Sequence, residues 1–142
     1  MRILRLHRKR PENRRGAAAV EFALVGPIFI LFVFGLIELG RMMMVQQILS
    51  EASRAGSRAA ILNGATVENV RDVVVERLDH SMITVSRDSI TVDPDPSSAP
   101  YGTAITVTIS VSLSDVSWLP ETDYLDSIIL EGTSKMRLET SE

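Results

Sequence analysis

Ala17 to Leu39 is a run of 23 residues whose charges are confined to Glu21 and Glu38, and it separates two segments of opposite charge. A helix of that length reaches about 34 Å, enough to cross a hydrocarbon core of roughly 30 Å. Its centre, Phe22 to Ile37 (FALVGPIFILFVFGLI), is uncharged on every face, so it lacks the polar stripe of a soluble amphipathic helix. The apolar part of a cleaved secretory signal is shorter, about 7 to 15 residues, and ends in a small-residue site. This run ends instead in Ile37-Glu38-Leu39-Gly40-Arg41.

The overall composition hides this partition. With 45 % hydrophobic residues, 23 % charged residues and a mean hydropathy of +0.15, the 142-residue chain resembles an ordinary globular protein. Residues 1–16, however, carry seven basic side chains against one acid, a balance of +6. The other 126 residues carry eight basic and seventeen acidic groups, a balance of −9, and the two together give the formal −3. The positive-inside bias then predicts a cytoplasmic N-terminus and an extracytoplasmic remainder. With zero cysteines that remainder has no disulfides, and packing or a partner must stabilise it.

The expected organisation is a basic leader (1–16), a transmembrane helix (17–40), an extended amphipathic helix (41–63) and an α+β domain (64–142). Met44, Ile48, Ala52, Ala55, Ala59 and Leu62 recur at helical spacing and predict the face that the long helix buries. Small residues dominate its later turns, with Gly56 beside them, so another backbone can approach closely there. Val67 to His80 reads as a second helix through Val67, Val70, Val74 and Leu78, with Thr66 as N-cap. Ile83, Val85, Ile90 and Val92 alternate with polar residues around Arg87-Asp88 and predict extended chain on both sides of a turn, and Asp93 to Gly102 (DPDPSSAPYG) is turn-rich. Thr103 to Ser114 alternates most regularly, with Ile105, Val107, Ile109, Val111 and Leu113 on one face. A loop with Trp118, Pro120 and Tyr124 leads to a last strand, Ile128 to Glu139, with Met136 and Leu138 on one face. Helices first and antiparallel strands after give an α+β fold. Residues 66–142 are too few for a large core, so the long helix is expected to cover the sheet.

One block carries the functional reading. Gly16-Ala17-Ala18-Ala19-Val20-Glu21-Phe22 stands where the basic leader meets the apolar helix, a glycine followed five residues later by a carboxylate inside an apolar span. With Pro27 and the Glu-Leu-Gly-Arg exit, the stretch Arg14 to Arg41 resembles the TadE-like pseudopilins of Tad/Flp type IV pilus systems. The resemblance implies that a prepilin peptidase, an aspartyl protease of the membrane, cuts between Gly16 and Ala17. It also implies that Glu21 and Phe22 serve assembly and register, with Glu21 pairing an α-amino group of its own or a neighbouring subunit. A carboxylate left unpaired in hydrocarbon is costly, which is what makes such a pair informative. Ala17 at the new N-terminus departs from ordinary type IV pilins, and N-methylation does not carry over. The resemblance further implies a minor pilin or assembly factor, because the major pilins of these systems are much shorter. Its partners would be the peptidase, other pilins or pseudopilins, pilus platform proteins and membrane lipid.

Plainer readings stand beside these. Gly16 and Glu21 also suit an uncleaved signal-anchor, with Glu21 reaching the interface, and the chain would then be a membrane-anchored scaffold of a secretion or pilus apparatus. Glu38 and Arg41, three residues apart, suit an ion pair at the membrane boundary. Gly26-Pro27 suits a kink. Met42 to Met44 have no His or Cys beside them and read as interfacial filler rather than copper ligands. Asp88, Asp93 and Asp95 lack EF-hand spacing and read as a solvated turn. His7 and His80 are isolated, and neither G-x-S-x-G nor a phosphate loop is present, so no cofactor, metal site or enzymatic activity is expected. Nor is nucleic acid expected, since aromatic residues do not interleave the basic leader.

Overall fold

The computed structural model of the chain describes residues 13–81, 83–117 and 127–138. Most of the leader, Met82, the loop residues Trp118, Pro120 and Tyr124, and Glu139 lie outside them. The chain divides into two compact units with their boundary between Ile37 and Glu38. Helix α1 (Asn13–Ala60) supplies the described part of the first unit and opens the second. Helix α2 (Val67–Asp79), strands β1 (Ile90–Asp93) and β2 (Ala104–Ser112), the one-turn helix α3 (Leu113–Val116) and strand β3 (Ile129–Arg137) follow. The strands form one antiparallel sheet in the order β1-β2-β3. This is the expected α+β class: a long apolar N-terminal helix, then a small domain of helices and antiparallel sheet.

In the first unit the helix is exposed along its apolar length, Phe22 by 78 % and Leu31 by 71 %, with no core of its own. It is the one described helix long and apolar enough to cross a membrane. Pro27 sits inside continuous helical backbone, where its missing N–H forfeits one intrahelical bond.

The second unit is built on the alternation of β2. Ile105, Val107, Ile109 and Val111 are buried, while the residues between them stay partly exposed. The apolar face packs with Val45, Leu49, Ala52 and Ala60 of α1 and with Val70, Val74 and Leu78 of α2. Burial of each such Leu, Ile or Val side chain contributes about 1.5–3 kcal/mol. The Thr66 hydroxyl caps α2 by accepting from Asn69 N, and Gly64 turns the chain between the helices at a φ of +76°.

Three expectations are corrected. The buried face of α1 is not the stripe from Met44 to Leu62, since Met44 and Leu62 are exposed and Ile48, Ala55 and Ala59 are only half-buried. The helix buries Val45, Leu49, Ala52, Ser53, Gly56, Ser57 and Ala60 instead. Closeness of approach decides the face, and the two serines satisfy their hydroxyls: Ser53 Oγ donates to Ser50 O at 2.9 Å and Ser57 Oγ to Ser134 O at 3.1 Å. Second, Ile83 and Val85 form no strand. Ile83 N returns to Leu78 O at the end of α2, and Arg87–Ser89 is a 3-10 turn with Arg87 within reach of Glu68 and Asp72. Third, β2 ends at Ser112 and Leu113 begins α3, although Leu113 is buried as its place in the pattern requires.

Two glycines set how near α1 comes to its neighbours. A Cβ on Gly132 of β3 would stand 2.4 Å from the backbone carbon of Leu49 and 2.5 Å from its oxygen, positions that a side-chain rotation does not relieve. A Cβ on Gly56 would meet Val74 Cγ2 at 2.6 Å. Gly132→Ala is therefore expected to destabilise the folded unit by about 3 kcal/mol or to prevent its folding, against about 1 kcal/mol for Gly64→Ala in open space. Chemical denaturation of the full chain in detergent checks both, and equal small losses would refute the close approach.

Candidate functional site

The two ends of the apolar segment carry the candidate residues. At the first end, Gly16, Ala17, Glu21 and Phe22 all lie in α1 and are exposed. A Cβ at Gly16 would meet nothing within 4 Å. Ala17 and Glu21 are four residues apart in one helix and share a face, one turn apart. Helical side chains lean toward the N-terminus, so the Glu21 carboxylate is directed toward the turn that begins at Ala17. Gly16 lies in the first turn of α1, where helix ends fray and glycine is the weakest ordinary helix former. The Gly16-Ala17 bond can therefore become extended, as a protease requires, by opening a single turn. Gly26, half-buried against Phe22, and Pro27 follow in the same helix.

At the other end, Glu38 and Arg41 belong to the second unit. Glu38 is 9 % exposed, and its Oε1 is buried with no hydrogen-bond partner. Arg41 Nε donates to Val116 O, at the end of α3. The ion pairs among the described residues are Arg71–Glu68, Arg77–Glu51, Arg87–Glu68 and Arg87–Asp72, and the expected Glu38–Arg41 pair is not among them. The carbonyl of Val116, 75 residues further along the chain, draws the guanidinium away, a partner that helical spacing cannot reveal.

Elsewhere in the second unit, a shallow pocket is lined by Ala55, Val73, Glu76, Arg77 and His80. A groove of about 390 Å³ is lined by Leu62, Gly64, Thr66, Pro96, Tyr101 and Leu138 among others, with no carboxylate, imidazole or amine among the described lining residues. Asp95 Oδ1 accepts from the Ser97 hydroxyl at 2.7 Å and from Ser97 N at 2.9 Å. The hydroxyl bond first and the backbone bond second hold its carboxyl below the usual range. Asp93, Asp95 and Asp88 are in no group of three or more potential metal ligands among the described residues. His80 Nδ1 lies 2.6 Å from Glu76 O in the last turn of α2, where the ring closes the helix end.

The family model described as TadE-like protein matches residues 16–58, from the glycine of the candidate cleavage site to the last turn of α1. The chain carries a TadE-like segment. The resemblance seen in Arg14 to Arg41 is thus borne out, and the match extends along α1 through the turns that bury Leu49, Ser53 and Ser57. The matched part of the chain is thus similar to Tad pilus-associated proteins. No curated protein and no solved structure matches the chain.

Two outcomes follow from the side chains at this end and in the turn. Because an unsatisfied buried oxygen costs about 1–3 kcal/mol, Glu38→Leu is expected to leave the thermal midpoint unchanged or to raise it by a few degrees. A clear fall in calorimetry of the detergent-solubilised chain would show a partner for Glu38. For Asp95 the depressed carboxyl contributes stability above its unfolded value of about 3.9, and this is lost as pH falls through the lower folded value. The Ser97 amide shift in an NMR titration should therefore move below that value, and Ser97→Ala should bring the midpoint back up.

Proposed function

We propose that the chain is a minor pilin or pseudopilin of a Tad-type pilus, made as a precursor and cut by a prepilin peptidase between Gly16 and Ala17. The observation that supports this reading best is the placement of Gly16, Ala17 and Glu21 in the first turns of an exposed apolar helix, inside the TadE-like match. The reading assigns residues 1–16 to a cytoplasmic leader, 17–40 to the membrane helix, 41–63 to its extension and 64–142 to the extracytoplasmic domain. Cutting leaves +6 with the leader and gives a mature chain of −9 from side chains. It also creates an α-amino group at Ala17, one helical turn from the Glu21 carboxylate. Pairing that amine, in the same or a neighbouring subunit, offsets the cost of a carboxylate in hydrocarbon and makes correct stagger the favoured arrangement. Phe22 and the Gly26-Pro27 step then tune how neighbouring helices settle. The folded unit beyond Glu38 suits a low-copy initiating, tip or adaptor subunit, whose partners are other pilins and the pilus platform.

Processing is checked by N-terminal sequencing of the protein from cells with and without an active prepilin peptidase. A chain beginning at Ala17 is expected in the first and the intact precursor in the second. Recovery of full-length chain alone from peptidase-active cells would instead identify an uncleaved membrane-anchored scaffold. Glu21→Ala is expected to be cut normally and to be missing from sheared filaments, and normal incorporation of that variant would refute the register role.

A further inference from the structure

The exposed large apolar side chains from Glu38 onward fall into two sets. Leu62, Val73 and Tyr101 lie on separate parts of the unit, whereas Leu39, Met43, Met44, Ile128 and Ile129 lie at the start of the unit's own stretch of α1 and at the start of β3. Three bonds connect these places: Arg41 Nε to Val116 O, Leu113 N to Ile128 O at 2.8 Å, and Gln46 Nε2 to Glu131 O. They hold Ile128 and Ile129 level with the turn of α1 between Arg41 and Gln46, which is where Met43 and Met44 stand. Met43 is itself only about 6 Å along the helix axis beyond Leu39, the last apolar residue of the candidate span.

The solvent face of the sheet changes character at the same level. Ile129 is 65 % exposed, but the residues that follow it on that face of β3 are Glu131, Thr133, Lys135 and Arg137. Beside them β2 presents Thr106, Thr108, Ser110 and Ser112. Among the described residues, large apolar exposure on this face of the sheet is thus confined to the start of β3, and hydroxyls and charges cover the remainder.

We propose that Met43, Met44, Ile128 and Ile129 form a foothold by which the folded unit rests in the lipid headgroup-to-acyl boundary of its membrane. The proposal rests on the reading of 17–39 as membrane-spanning, and continuity with that span selects lipid as the occupant. Apolar side chains on an otherwise polar surface settle to about 5–10 Å at this boundary, and flexible methionines fill the irregular space there. Asp115 and Glu131, exposed beside the patch, keep their carboxylates in water and so hold the contact shallow. The foothold thereby determines which edge of the sheet is turned to the lipid.

The chain has zero cysteines, so single substitutions provide unique sites for nitroxide labels on the full chain. Labels at Met43→Cys, Ile129→Cys, Thr133→Cys and Phe32→Cys are compared in mixed phosphatidylethanolamine–phosphatidylglycerol vesicles. Collision with dissolved oxygen reports lipid, and collision with a water-soluble nickel chelate reports solvent. The expected result is an oxygen-to-nickel ratio several-fold higher at positions 43 and 129 than at 133, and highest at 32. A ratio at 129 equal to that at 133, with 32 still in lipid, would overturn the foothold and leave the membrane span standing. A label at 32 exposed to nickel would remove the span and the foothold together. Dipolar broadening between labels at 129, without oxygen access, would show a second copy as the occupant and would also overturn the proposal. Ile128→Asp combined with Ile129→Asp should raise nickel access at a Met43→Cys label.

Discussion

The second unit depends on contact between two backbones, Leu49 of α1 against Gly132 of β3. A three-stranded sheet must bury its one apolar face against another layer, and α1 is one of the two helices that supply it. The helix can lie this low because glycine removes the Cβ on the sheet side at Gly132 and on the helix side at Gly56, beneath Val74 and Val107. Val45 and Leu49 fill the first turns of the interface, and on the turns around Gly56 the small side chains of Ala52, Ser53, Ser57 and Ala60 complete it. The serines are tolerated because each hydroxyl donates to a nearby carbonyl.

This explains which parts of the fold could be read in the residues. Strand β2 and helix α2 follow from alternation, from spacing and from Thr66 as a cap, because in each case a single chain segment contains its own signal. The orientation of α1 was not legible, because hydrophobicity selects Met44, Ile48 and Leu62 while the interface takes Val45, Leu49 and then small groups that include two serines. Nor was the path from Ile83 to Arg87: its alternation is strand-like, but the C-terminal turn of α2 takes Ile83 N and the acids of α2 take Arg87. Pairings between distant segments override local pattern there.

The two ends of the apolar segment differ in the same way. Gly16, Ala17 and Glu21 are adjacent in the chain, so their relation survives in any helix and is visible before a structure exists. Arg41 finds Val116 through the fold, and Glu38 is buried by it, so their surroundings are tertiary facts. The TadE-like match spans both ends within one helix. What distinguishes them is that the first is defined by covalent spacing and the second by packing.

Strand β3 is an edge of the sheet, and many copies held side by side in one membrane would bring such edges together at high local concentration. Unpaired strand edges invite pairing between chains. Gln46 occupies the carbonyl of Glu131 on this strand, and Lys135 and Arg137 place like charges further along it. The side chain that ties α1 to the strand thus also obstructs sheet-to-sheet zipping at this carbonyl.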